Sequence, residues 1–382
     1  MTKENRRGRA GKRLTATVTD LEVARQKAFL IGVARNAKEI SEAESSLYEL
    51  GLLTDTAGSD PTGSALLRRG RPDPALYIGS GKAAELAVET TALDIDVVVF
   101  DNALSPAQQR NLEKIFRCDV VDRVALILDI FAQHATSREG MVQVELAQHR
   151  YRLPRLRGRG TELSRLGGGI GTRGPGETQL EVDRRQIGRR IQKLKQDLKK
   201  VKRARENQRK KRLATPYLTV AIMGYTNAGK STLHHLLTQS NVLQEDKLFA
   251  TLDPTTRKLK LSTNDEILIT DTVGFIRKLP HQLVDAFKAT LEEVIYADLI
   301  LHVIDCANPH WHDLMTTSHD VLKKLDITIK NEVIIFNKID QANDPILTTH
   351  DCKEVSSVFI SANQTSSRLK IIRLIENNLS KF

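Results

Sequence analysis

Gly224-Tyr225-Thr226-Asn227-Ala228-Gly229-Lys230-Ser231 is a GxxxxGKS run set between an apolar stretch, TVAIMG (219–224), and the helical pattern STLHHLL. In that setting the glycines let backbone N–H groups turn inward around phosphate oxygens, and the helix N-terminus adds partial positive charge. Lys230 is placed to reach β- and γ-phosphates, and Ser231 to offer its hydroxyl to Mg2+. About forty residues on, Asp271-Thr272-Val273-Gly274 closes the run EILIT. Its carboxylate suits a magnesium ion held through water, and the Gly274 amide suits the γ-phosphate, so the segment would sense hydrolysis. Between the two lies Phe249-Ala250-Thr251-Leu252-Asp253-Pro254-Thr255-Thr256, where a switch segment belongs. Thr251 is the first choice for a second magnesium hydroxyl, with Thr255 and Thr256 competing. Lys230, Thr251 and Gly274 form the candidate catalytic group.

Asn337-Lys338-Ile339-Asp340 ends the apolar run EVIIF. A carboxylate at Asp340 can accept from guanine N1–H and N2–H2. Adenine lacks that donor pair and would leave the carboxylate unpaired, at a cost of roughly 1–3 kcal/mol. Ser361-Ala362-Asn363, at the end of another apolar run, supports the base through backbone amides. These runs together define the candidate GTP site, with Ser231, Thr251 and Asp271 as its metal ligands. Phe275 follows Gly274 where many small GTPases carry a water-orienting glutamine. Phenylalanine cannot hold water by hydrogen bonding, which predicts slow hydrolysis by the chain alone and a partner that completes the site. Asn227 has two readings, a K+ ligand between the phosphates or an asparagine that caps the loop.

Positioning these groups requires a sheet whose strands end on one side. TVAIMG (219–224), EILITD (266–271), LILHVID (299–305), EVIIFN (332–337) and SVFISA (357–362) read as buried strands separated mostly by helices. That is a doubly wound α/β domain, residues 215–382, with its loops at the carboxyl ends of the strands. An earlier α/β domain, 21–135, has strands at KAFLIGV (27–33), ALYIG (75–79) and DVVVFDN (96–102). Its helices run over Ile40–Leu50, Lys82–Thr90, Ser105–Phe116, with Ser105 as N-cap and Pro106 first, and Arg123–Phe131. Tyr77-Ile78-Gly79-Ser80-Gly81-Lys82 is a glycine turn before a lysine, a candidate second nucleotide site that a helix-capping turn explains equally well.

The middle, 136–214, differs. Val144, Ala147 and Tyr151 are spaced three and four apart, and Ile187, Ile191, Leu194, Leu198 and Val201 form a heptad seam. RGRGTELSRLGGGIGTRGPGE (157–177) between them is too glycine-rich for a helix or strand interior, so a helical coiled-coil hairpin with a Gly-rich tip is expected. Arg184–Arg212 carries 15 Lys/Arg against two acids, Arg150–Arg173 seven against one, and the disordered tail 1–20 six against one within its first 13 residues. Subtracting those net charges (+13, +6 and +5) from the whole-chain +11 leaves −13 for the remainder. Charge so concentrated points to a polyanion such as RNA. A solvated spacer helix is the alternative, but a spacer has no need of that self-repulsion.

Aromatic residues are only 4%, which argues against recognition by base stacking. Three scattered cysteines give neither a disulfide framework nor a CxxC pair and fit a reducing cytoplasm. With no apolar run of 18 residues and no h-region after the basic start, membrane insertion is not expected, and the chain reads as a cytoplasmic monomer. His302, in an apolar run, reads as a satisfied core residue, and His310 and His312 lack cysteine partners, so no metal beyond Mg2+ is assigned.

The sequence resembles the HflX family of ribosome-associated GTPases, of the Obg-HflX-like superfamily. The carrying residues are YIGSGK (77–82), GGGIGTRGPGETQLEVDRR (167–185), GYTNAGKS (224–231), FATLDPTTR (249–257), DTVGFI (271–276) and NKID (337–340). The second is the most specific, since the others recur in many GTPases. The resemblance runs from about residue 25 to the end. It implies an N-terminal α/β domain, a helical hairpin and a P-loop GTPase domain, with binding to the large ribosomal subunit and splitting of stalled or idle ribosomes, notably under heat stress. ATP binding or RNA unwinding by the N-terminal region is a further implication. Many bacterial members continue into a small C-terminal domain, whereas here the chain stops soon after SRLKIIRLIENNL (367–379). Two other function classes stay open at this level, an ATP-dependent RNA-remodelling protein and an RNA-binding scaffold with a GTP-sensing domain.

Overall fold

The computed structural model describes residues 17–19, 22–156, 179–213, 217–239, 248–249, 251–278, 291–329, 331–342 and 356–379. Those residues fall into two compact units, one of residues 1–133 with 146–192 and the other of residues 134–145 with 193–382.

In the first unit, a short ribbon pairs β1 (Thr17–Thr19) with β2 (Glu22–Ala24). A four-stranded parallel sheet follows, β3 (Gln26–Ala34), β4 (Ser59–Arg68), β5 (Val97–Phe100) and β6 (Asp119–Asp122), in the order β4-β3-β5-β6. Helices α1 (Ile40–Thr56), α2 (Ser80–Ala92), α3 (Pro106–Phe116) and α4 (Arg123–His134) complete it. Ser105 caps α3 as the sequence suggests, and Gln108 closes a capping box with it.

Several elements differ from the sequence reading: β1 lies within the stretch 1–20 read as disordered, and β6 is a strand absent from that reading. SDPTGSALLR, with Pro61 and Gly63, carries turn residues, yet it is β4. As an edge strand it tolerates the missing N–H of Pro61, and its register shifts between Ala28 and Phe29, leaving Thr62 unpaired as a bulge. ALYIG is not a strand. Asp73 accepts from the Ala75 and Leu76 amides at 2.8 and 2.9 Å, which folds the segment into a turn, and Tyr77 has φ 63°.

Helix α5 (Arg138–Arg155) buries Val144, Ala147 and Tyr151, and α6 (Gln179–Leu213) buries Ile191 and Leu194 of the predicted seam. Arg184, Arg189, Lys193, Lys195, Lys199 and Lys200 of α6 are exposed. The glycine-rich stretch 157–177, the basic tail before residue 17 and Ala250 lie outside the described residues.

The second unit holds a six-stranded sheet of β7 (Thr219–Gly224), β8 (Thr255–Lys260), β9 (Glu266–Asp271), β10 (Leu299–Asp305), β11 (Glu332–Asn337) and β12 (Ser357–Phe359). Their order is β12-β11-β10-β7-β9-β8, parallel except for the edge strand β8. Near-continuous apolar runs suit strands covered on both faces. Val220, Ile222, Ile269, Leu301, Val303 and Ile335 pack with Leu233 and Leu237 of α7 (Lys230–Thr238) and Ile371 and Ile375 of α10 (Ser367–Leu379). Ile304 and Phe336 belong to a smaller cluster with Trp311 of α9 (Trp311–Lys324), and α8 (Glu292–Ile295) is a single turn.

Candidate nucleotide site

β7, β9, β10 and β11 bring their carboxyl ends together, and the sequence motifs lie there. The phosphate loop, residues 224–231, is joined to the Asp271 segment by hydrogen bonds at both backbone and side chain. The Thr226 amide donates to the Phe275 carbonyl at 2.9 Å, the Phe275 amide to the Gly224 carbonyl at 3.0 Å, and the Arg277 amide to the Tyr225 hydroxyl at 2.7 Å. The side chain of Phe275 is fully buried. Gly274 sits so close to the loop that a Cβ there would lie 2.8 Å from both Lys230 Nζ and Thr226 Cγ2. Any side chain would push the two segments apart.

Lys230 is buried, and its ammonium donates to the Tyr225 carbonyl at 2.7 Å. Burial pulls it down to about 8, with Asp271 acting in the opposite sense. Phosphate oxygens would restore what desolvation removes. Asn227 is exposed with φ 60°, a backbone that asparagine tolerates in turns.

Ser231, Thr251 and Asp271 converge from α7, the switch segment and β9. Ser231 Oγ lies 2.7 Å from Thr251 Oγ1 and donates to Asp271 Oδ2 at 2.7 Å; Thr251 Oγ1 donates to the same oxygen at 2.9 Å. Asp271 Oδ1 is buried with no hydrogen-bond partner among the described residues. Two hydroxyls and a carboxylate with an unused buried oxygen make a donor set for a hard divalent cation. Of the competing threonines, Thr256 places its Oγ1 2.9 Å from Thr270 Oγ1, across the β8–β9 ladder. Phe249, Leu252, Thr272 and Val273 are buried, and Thr272 Oγ1 donates to the Ile222 carbonyl at 2.7 Å, so these residues offer a ligand chiefly backbone.

In the NKID segment, Asn337 is buried and serves the loops around it. Its Nδ2 donates to the Ala228 carbonyl at 2.9 Å, its Oδ1 accepts from the Ala362 amide at 2.8 Å, and its carbonyl accepts from the Cys306 amide at 3.0 Å. One side chain thus ties the phosphate loop to the Ser361–Ala362 turn. Lys338 pairs with Asp305 at 2.8 Å, Ile339 is partly exposed, and Asp340 and Asn363 are exposed. Ser361 is buried, its carbonyl accepting from Ser367 Oγ at 2.7 Å. Sequence reasoning missed the joining roles of Tyr225 and Asn337, which depend on contacts between segments far apart in the chain.

Comparison with known proteins agrees with this geometry. Residues 44–132 match the family described as GTP-binding GTPase N-terminal, 134–212 its middle region, and 219–338 the family described as 50S ribosome-binding GTPase. The chain is 48% identical over 360 residues to a GTPase HflX of Lacrimispora saccharolytica, covering 94% of this chain and 84% of that one. It is 44% identical over 336 residues to the GTPase HflX of Escherichia coli, covering 87% and 79%. Among solved structures, the complex of SsGBP with GDP is similar with TM-score 0.51 and 25% identity, over 93% of this chain and 98% of that one. With the nucleotide motifs assembled at one sheet edge and identity of this extent, the chain belongs to the HflX family and is a GTP-binding GTPase.

Proposed function

We propose that the protein is a Mg2+-dependent GTPase that acts on the large ribosomal subunit, with residues 136–214 as its RNA-binding arm and nucleotide state setting when it binds and leaves. In this reading Ser231, Thr251 and Asp271 hold Mg2+, Lys230 and the amides of 224–231 and Gly274 hold the phosphates, and Asp340 reads guanine. The ion would neutralise charge building on the phosphates during transfer. Separation of stalled or idle ribosomes under heat stress is the reaction the family relationship favours.

The observation that carries the ribosomal part is the row of exposed Arg and Lys on α6, from Arg184 to Lys200. Contacts of this kind fall on RNA phosphates and make binding steeply salt-dependent. Phosphate release from GTP, measured with and without large subunits and with Lys230→Ala as control, tests it. Stimulation by subunits that disappears in the variant is expected. Turnover indifferent to subunits would detach the GTPase from the ribosome. ATP hydrolysis surviving Lys230→Ala would instead support an RNA-remodelling ATPase in the N-terminal unit.

A further inference from the structure

Ser137 precedes helix α5 as its cap, and its Oγ accepts from the Gly140 amide at 2.9 Å, half of a capping box. The other half of that motif is a Glu or Gln three residues after the cap, reaching back to the cap's own N–H. Here that position is Gly140, which has no side chain. The missing carboxylate comes from Asp253, 116 residues away in the switch segment. Its Oδ2 accepts from the Ser137 amide at 2.6 Å and from the Thr136 amide and hydroxyl at 2.9 and 2.8 Å, while its Oδ1 accepts from Ser137 Oγ at 2.5 Å. Gly140 is part of the fit, since a Cβ there would lie 2.7 Å from Asp253 Oδ1. A carboxylate with both oxygens engaged in this way is anchored rather than free for nucleotide.

Asp253 stands two residues after Thr251, whose hydroxyl lies 2.7 Å from Ser231 Oγ and 2.9 Å from Asp271 Oδ2. Only Leu252, buried, separates them. Fixing Asp253 therefore fixes where Thr251 can be. We infer that Asp253 is a positioning residue for GTP hydrolysis, holding Thr251 at the metal site by completing the N-terminal capping box of α5 from the switch segment. The coupling is reciprocal: whatever seats Thr251 also caps α5, and release of the switch uncaps it. This rests on Thr251 being the magnesium-side hydroxyl, and Thr251→Ala tests that separately.

The experiment measures kcat and KM for GTP in the full chain, with hydrogen exchange of the amides at 138–142 in GDP and in a non-hydrolysable GTP analogue. Asp253→Ala should lower kcat about tenfold, the rate equivalent of one lost cap, with little change in KM. It should also abolish the difference in exchange between the two nucleotide states. The decisive variant adds Gly140→Glu to Asp253→Ala. Glutamate at 140 supplies the capping carboxylate within the helix, in the space that Asp253 vacates. Protection of 138–142 should return, now in both nucleotide states, while kcat stays low. Recovery of kcat together with protection would show that Asp253 acts only by stabilising α5 and would overturn the inference. So would wild-type kcat in Asp253→Ala when Thr251→Ala is impaired. If Thr251→Ala itself retains full turnover, the assignment of the metal site fails, and the inference falls with it.

Discussion

Both units build parallel strands that end in aspartates, yet the aspartates differ in what surrounds them. In the N-terminal unit, Asp101, just past β5, accepts from Arg123 Nη1 at 2.7 Å and from Ser46 Oγ at 2.8 Å, and Arg123 also pairs with Glu49 at 2.5 Å. Asp122, ending β6, accepts from the Leu104 amide at 3.0 Å, from Tyr151 Oη at 2.8 Å and from Arg155 at 3.2 Å. Among the described residues, Asp271, ending β9, accepts from hydroxyls on Oδ2 while its Oδ1 is buried without a hydrogen-bond partner. The first two are neutralised within the fold. The third keeps one oxygen without a hydrogen-bond partner among the described residues, and in the proposed reading a cation would meet it. Position at a strand's carboxyl end is therefore insufficient; what marks function is an unmet demand. The glycine turn at 77–82 follows the same rule, because Lys82 pairs with Glu85 at 2.5 Å and Arg69 Nη1 donates to the Ile78 carbonyl at 3.1 Å.

The sharpest way to break this contrast is to remove one aspartate from each unit. Asp271→Asn should lower GTP turnover by at least about 100-fold, the range for losing a group that organises transition-state charge. It should change thermal stability far less than the loss of Asp101, since an amide oxygen there can still accept from Ser231 and Thr251. Asp101→Ala should do the reverse. Arg123 is 2% exposed and would lose one of its two carboxylates, at about 3 kcal/mol. That corresponds to a fall of roughly 6–12 °C in the melting of that unit by calorimetry, with turnover retained below the transition. Equal loss of turnover from both variants would dissolve the distinction.

Asp340 gives the next largest effect. It is exposed, unlike the buried Asn337 three residues before it. Asp340→Asn should weaken GTP binding about 100-fold, because an amide opposes a donor to guanine N2–H2. Xanthosine triphosphate has an acceptor at that position, so competition binding should show the preference inverting toward it. Retained preference for GTP would move base recognition elsewhere.

Much of this site was legible in the sequence because its determinants are local. A glycine loop before a helix, an aspartate closing an apolar run and NKID at a strand end each announce themselves within about ten residues. Four of the five strands read in the GTPase region match their observed bounds, and SVFISA is shorter, ending at Phe359. What was hidden depends on partners. β8 has the polar sequence TTRKLK and is a strand only because β9 gives it an antiparallel edge. Asn337 is legible in sequence as part of NKID, but its bridging of Ala228 and Ala362 is not. Asp253 has no local signal of capping, since the helix it caps begins 116 residues earlier.

A milder test compares the two ends of the GTPase sheet itself. Glu332, at the start of β11, lies far along the strand from Asn337 and is fully occupied. Its carboxylate lies 2.7 Å from His302 Nδ1 and 2.9 and 3.2 Å from His319 Nε2. His302, a buried polar residue on β10, thereby has its partner. Burial raises the Glu332 carboxyl, but the bonds from His302 and His319 prevail and bring it to about 2. Because its folded value is depressed below the ordinary 4.5, its stabilisation is complete above that pH and is lost as pH falls toward 2. Burial also lowers His302, so acid removes stability there too, starting below its ordinary 6.5. His319, raised chiefly by its bond to Glu332, opposes this, contributing below 6.5 and losing that contribution at higher pH. Glu332→Gln should therefore cost about 2–3 kcal/mol at pH 7, where the carboxylate contribution is full. The difference from wild type in urea midpoints should shrink steadily from pH 5 to pH 3. GTP turnover at pH 7 should be unchanged, because the group stands at the end of the sheet away from Asp271. A difference in midpoint that stays constant with pH would mean that Glu332 acts by packing alone.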